Sequence, residues 1–193
     1  IKVDALTNIL SSKSRFLGLE SANERQTHDL LKTLVKFTPH ATHYMLSKNY
    51  NVATSVAKDI GAGKAFSTHE FISYTNRLVT DKNIVKNYSA VWIINRAQQL
   101  SHSEVNSLLK NATSLGAKIL FTGDSFRSTT IQQSNAFKQL IDNHLPTQTL
   151  QANMSLASNL IKDAQIVQAL DAMEHSQRIT YIGDAKQRFE TAC

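Results

Sequence analysis

Cysteine is almost missing: the single one, Cys193, is the last residue. One thiol makes neither a disulfide framework nor a multi-cysteine zinc cluster, and it fits a reducing compartment. Proline occurs twice and glycine six times, too rarely for a Pro- or Gly-rich linker protein. Long apolar runs are lacking as well. The longest, such as Ala90–Ile94, are far too short to cross a bilayer, so no membrane insertion is expected. The opening Ile1 carries no signal-peptide pattern, and a piece of a longer protein is expected.

What is present is globular. The 193 residues are 41% hydrophobic and 19% charged, the composition of one domain with or without an appendage. Lysine and arginine number 21 against 15 acids, a net charge of +6. A basic balance suits a polyanionic partner, and it serves solubility equally well. The cations are spread along the chain, with no basic tail.

Two kinds of segment alternate. Helical spacing covers Val3–Leu10, then Glu24–Phe37 up to the stop at Pro39. It returns in Asn51–Ile60 before Gly61, and again in Thr68–Leu78. Ser101-His-Ser-Glu104 is a capping box opening a helix that ends at Gly116, and Ala136–Ile141 follows. Short apolar strands are predicted at Arg15–Leu19, His43–Leu46, Ala90–Ile94, Lys118–Phe121 and Thr147–Leu150. A longer amphipathic helix at Ser155–Met173 and a strand at Arg178–Ile182 complete the pattern. Residues 1–150 are thus expected to form the core, and 151–193 an extension packed on the same domain.

Strand–helix alternation predicts an α/β domain, a parallel sheet flanked by helices on both faces. Ligands of such sheets lie beyond the carboxyl ends of the strands. Those ends read Gly18–Arg25, Ser47–Asn49, Asn95–Gln98 and Thr122–Arg127.

Three blocks in order, Ala90–Ser101 (AVWIINRAQQLS), Leu108–Asp124 (LLKNATSLGAKILFTGD) and Asn135–Ile141 (NAFKQLI), resemble the first motor domain of RecD-like helicases. They are most similar to the helicase-related central part of F-type conjugative relaxase-helicases, the TraI family. The resemblance implies a RecA/RecD-like motor fold, a degenerate P-loop NTPase. In that family one strand ends in Asp-Glu-Ala-Gln and the next in Gly-Asp-x-x-Gln.

The departures bear on the chemistry. A phosphate cradle reads Gly-x-x-x-x-Gly-Lys-Ser/Thr. This chain reads Gly18-Leu-Glu-Ser-Ala-Asn-Glu24-Arg25. Glu24 stands about where the phosphate-binding lysine belongs and would repel a triphosphate. Asn95 and Arg96 replace the Asp-Glu pair. Asn95 brings no charge to Mg²⁺, and Arg96 neither holds a metal nor accepts a proton. Gly123-Asp124 is kept, but Arg127 stands where a glutamine would sense the γ-phosphate. The expectation is a helicase-like fold without nucleotide hydrolysis, with no cofactor and no metal. Arg96 has two readings: reaching a DNA phosphate, or pairing with Asp124, the preferred one. Gly61-Ala-Gly63-Lys64 mimics a phosphate loop but follows a helix, lacks the leading glycine and has Ala65 where a hydroxyl belongs. His40-Thr-Ala-His43 lacks a third ligand.

The resemblance further implies a grip on single-stranded DNA over the strand ends. The residues there are Lys48, Asn49, Tyr50, Thr68, Phe126, Arg127 and Ser128. Cations meet phosphates, hydroxyls and amides bond them, and aromatics stack on bases. Surface lysine and buried aromatic roles are the plain alternatives. The implied partners are single-stranded DNA, the nickase and helicase domains of the same chain, and a type IV secretion coupling protein that would read a translocation signal. The implied compartment is the bacterial cytoplasm. The competing function is a structural or protein-interaction spacer, and a third is an NTPase with an unorthodox site.

Overall fold

Six parallel strands and six helices make up what the computed structural model describes: residues 2–81, 86–127 and 135–150. The predicted helix at 155–173, the strand at 178–182, the whole extension 151–193 and Ser128 lie outside the described residues.

The elements are α1 (Lys2–Ser11), β1 (Phe16–Ser21), α2 (Glu24–Phe37), β2 (Thr42–Ser47), α3 (Tyr50–Ile60), β3 (Lys64–Ser67) and α4 (Thr68–Thr80). Then follow β4 (Ala90–Ile94), α5 (His102–Leu115), β5 (Lys118–Gly123), α6 (Ala136–Asp142) and β6 (Thr147–Leu150), with a 3-10 turn at Ala97–Gln99. The sheet order is β3-β2-β4-β5-β1-β6. All five pairings are parallel, so every connection must be a crossover.

The chain crosses from β1 to β2 in one direction and from β4 to β5 in the other. Right-handed crossovers then put the helices on opposite faces. Alternation along the strands sorts the core accordingly. Leu19, Met45, Ile93 and Leu120 pack with Leu31, Val56 and Ile60 from α2 and α3. Trp92, Ile94, Ile119 and Phe121 pack with Phe71, Leu108 and Phe137 from α4, α5 and α6. The fold is therefore three layers, helix–sheet–helix, as the strand–helix alternation predicts. Burying each such side chain contributes about 1.5–3 kcal/mol.

Local signals explain the element ends. Ser101 accepts from the backbone N–H of Glu104 while Glu104 returns a bond to Ser101, and Ser67 and Glu70 repeat the device on α4. Gly61 and Gly116, at φ of 80° and 77°, close α3 and α5 in the left-handed conformation. β3 lies where no strand is predicted. Lys64–Ser67 has only four residues, none fully buried, and forms an edge strand because β2 offers it a free ladder. β1 also runs further than expected, through Glu20 and Ser21, because β6 pairs with those residues.

Candidate nucleotide and nucleic-acid site

The carboxyl ends of β1, β5 and β4 lie side by side, and the connections that follow them meet above β5. β1 ends at Ser21 and α2 begins at Glu24, so only Ala22 and Asn23 connect them. Gly18, expected in a phosphate loop, instead sits inside β1, paired with Phe121 on one side and Thr147 on the other. A Cβ there would fall 2.4 Å from Thr147 Oγ1. This glycine lets β6 approach β1.

The free N–H groups of a helix start are what an anion would use. In α2 two of them, those of Asn23 and Gln26, are engaged by side chains. Asn23 Oδ1 accepts from Gln26 N at 3.2 Å, the Asn23 carbonyl accepts from Thr27 N at 3.1 Å, and Ser21 Oγ accepts from Asn23 N at 3.1 Å.

Arg96 follows β4 in a left-handed conformation, φ 55° and ψ 52°. Its guanidinium meets Glu24, not Asp124: Nε donates to Oε1 at 2.8 Å and an Nη to Oε2 at 3.0 Å. The preferred Arg96–Asp124 pairing is thus corrected. The reason is local. Asp124 is engaged in its own turn, accepting from Phe126 N at 3.0 Å. Glu24, in the first turn of α2, faces the connection after β4 across the end of β5. The Arg96 hydrogen bond draws the Glu24 carboxyl below its ordinary range against a partial burial penalty, with further help from the charges of Arg96, His28 and Arg127. Arg96 is correspondingly raised, first by the same bond. Both side chains are more than a third exposed, so the pair stabilises the fold by no more than about 1 kcal/mol.

Beneath the pair is a cavity of about 20 Å³ lined by Ser21, Thr27, Asn95, Gln98, Thr122 and Asp124, among others. That is room for about one water, where a nucleotide site needs several hundred Å³. Asn95 is buried, and its N–H continues the β2–β4 ladder by donating to the Leu46 carbonyl at 2.8 Å. Arg25 is exposed on α2. Sequence reasoning missed Gln98. Its Oε1 accepts from Asp124 N at 3.3 Å and lies 2.3 Å from where a Gly123 Cβ would stand. Ala97 and Gln98 are the retained half of the Asp-Glu-Ala-Gln block, and that retention was the signal. Also missed was Glu20, which accepts from Ser125 Oγ.

The residues expected on DNA are divided. Tyr50, at 52% exposure, and Phe126, at 84%, stand in solvent, and Arg127 is exposed beside Glu24. Lys48 is held: its Nζ donates to both Glu104 oxygens at 2.8 and 2.9 Å. Burial raises the Glu104 carboxyl, but Lys48 and the Ser101 N–H and hydroxyl outweigh it and bring it below its usual range. Asn49 caps α3 by accepting from Asn51 N. Thr68 is a correction. It is wholly buried, because it opens α4 on the inward face that also carries Phe71. Its hydroxyl has no hydrogen-bond partner among the described residues.

Among the described residues no group of three or more His, Cys, Asp or Glu could hold a metal ion. No helix among them is long and apolar enough to cross a membrane.

The family profile described as AAA domain matches residues 29–187. The chain belongs to the AAA domain family. The match starts within α2, beyond the β1–α2 connection. With the parallel sheet and its flanking helices, this AAA domain is a helicase-like P-loop fold of the RecA kind. A comparison with curated proteins gave no match.

Proposed function

We propose that this AAA domain is a non-catalytic module that binds single-stranded DNA within a conjugative relaxase-helicase, having given up nucleotide hydrolysis. The observation that carries the reading is the Glu24–Arg96 pair. It sets a carboxylate and a guanidinium where the motor chemistry of its relatives by resemblance asks for a lysine and an Asp-Glu pair. The short β1–α2 connection and the cavity of about 20 Å³ support the loss of ATP chemistry. The exposed Tyr50, Phe126 and Arg127 support a surface for bases and phosphates.

Two observations favour the spacer reading: Lys48 is neutralised by Glu104 and Thr68 is buried. Fluorescence anisotropy with a labelled oligothymidylate at rising salt separates the two. Salt-sensitive binding that Arg127→Glu and Phe126→Ala weaken supports the DNA surface. Binding unchanged in both variants removes it. Mg²⁺-dependent ATP turnover that Glu24→Gln or Arg96→Ala alters would overturn the non-catalytic part.

A further inference from the structure

The opposite edge of the sheet, at the amino ends of the strands, carries a feature that the DNA reading does not use. Between α1 and α2 an open cavity of about 200 Å³ reaches down to Leu17, Leu34 and Leu120, with Val91 in its wall and Leu10 and Tyr88 at its mouth. Its lining is mostly apolar, and among the described residues Lys118 is the only charged one in it. Tyr88 is 64% exposed, and Phe37, one residue before the lining Thr38, is 69% exposed.

The charge around this cavity is one-sided. The segments that build it are 9–17, 34–41, 86–91 and 117–120. Together they hold Lys13, Arg15, Lys36, Lys86 and Lys118 and no aspartate or glutamate. The placement is spatial as well. Arg15 leads into β1 beside the start of β5, where its carbonyl accepts from Ile119 N at 2.9 Å. Lys86 and Tyr88 both lie against Gly116.

We infer that this edge is a docking site for an acidic protein segment carrying a bulky apolar anchor, a leucine or phenylalanine flanked by aspartates and glutamates. The cavity is smaller than a site for a drug-sized ligand and suits one buried side chain, the usual form of a binding hot spot. The cationic rim gives the flanking carboxylates their partners and steers their approach. A nucleic-acid base fits less well. Apart from Lys118, the described lining side chains that carry polar atoms are Thr38, Ser89 and the Tyr88 phenol, so the polar edge of a buried base would find few partners for the hydrogen bonds it gives up to water.

The test uses the full 193-residue chain. The probe is a fluorescein-labelled peptide of aspartate and glutamate with one leucine and one phenylalanine. A second peptide has both apolar residues replaced by serine, and an unlabelled oligothymidylate serves as competitor. The expected result is binding that weakens with salt, about tenfold or more weaker binding of the serine peptide, and no displacement by the oligonucleotide. Lys118→Glu and Leu10→Ser each weaken the first peptide several-fold. Equal binding of the two peptides, displacement by the oligonucleotide, or no binding at all overturns the proposal. Should a variant fail to fold by circular dichroism, the comparison of the two peptides on the unaltered chain decides alone. The outcome is independent of whether the opposite edge binds DNA.

Discussion

The two edges of one sheet handle charge in opposite ways. At the carboxyl ends of the strands three cations have a carboxylate at hand. Arg96 lies on Glu24, Lys48 on Glu104, and Arg127 stands near enough to Glu24 to depress its carboxyl. At the amino ends, the described segments around the cavity between α1 and α2 carry five cations and no aspartate or glutamate of their own. The first edge is where an α/β sheet ordinarily binds its ligand, and it has been closed by its own side chains. The second is ordinarily a place of mere stability, and it has been left open. A net charge of +6 thus says little until it is known which edge holds it.

That contrast can be broken most severely at Gly18. If it serves strand packing and not phosphate, Gly18→Ala should destabilise the domain by about 1–3 kcal/mol through the clash with Thr147. Adding Thr147→Ala should return part of that loss in urea unfolding. A Gly18→Ala protein of unchanged stability would show that β6 does not approach β1 as described.

Next in size is charge reversal at the closed edge. Glu24→Lys places a cation beside Arg96, Arg127 and His28. It should lower the thermal midpoint by an amount corresponding to about 1 kcal/mol, and the double variant with Arg96→Glu should recover most of it. Absence of recovery would mean that the two residues are not coupled.

A comparable effect is expected in binding. Arg127→Glu should weaken oligothymidylate by about tenfold and flatten its salt dependence, whereas Arg15→Glu should leave both nearly unchanged. The reverse ranking would move the DNA surface to the amino edge.

The smallest effect is the pH dependence of the closed pair. The Glu24 pKa is depressed in the folded chain. Its contribution is therefore fully present above the ordinary carboxylate value and lost as pH falls through the depressed one. The stability difference between the native chain and Glu24→Gln should persist at neutral pH and vanish in acid. A difference that grows on acidification would contradict the pairing.

Much of the frame was legible in the residues. α2 is bounded at Glu24 and Phe37 as its leucine spacing and Pro39 require, and β4 coincides with the run Ala90–Ile94. The capping box at Ser101 and the left-handed glycines fall where their local chemistry puts them. These are short-range signals. β3 was missed because Lys64–Ser67 earns its strand from β2 and not from its own pattern. The partner of Arg96 was misjudged for a similar reason. Glu24 is distant in sequence, and the choice between it and Asp124 depends on how the residue after β4 turns. The loss of Thr68 to the interior needed the orientation of α4. The bias of this edge toward cations was invisible because Lys13, Arg15, Lys36, Lys86 and Lys118 are scattered along the chain, and only the order of the strands brings their segments to one edge.

The position of β1 has a consequence for how the molecule is made. Phe16 pairs with Ile119 and Gly18 with Thr147, so this strand emerges from the ribosome long before either neighbour exists. β2, β3 and β4 are close together in the chain and can assemble first, leaving β1 with both its ladders vacant until the last third of the described chain arrives. Such distant pairings fold slowly. The nascent chain must therefore shelter one apolar segment until β5 and β6 have been made.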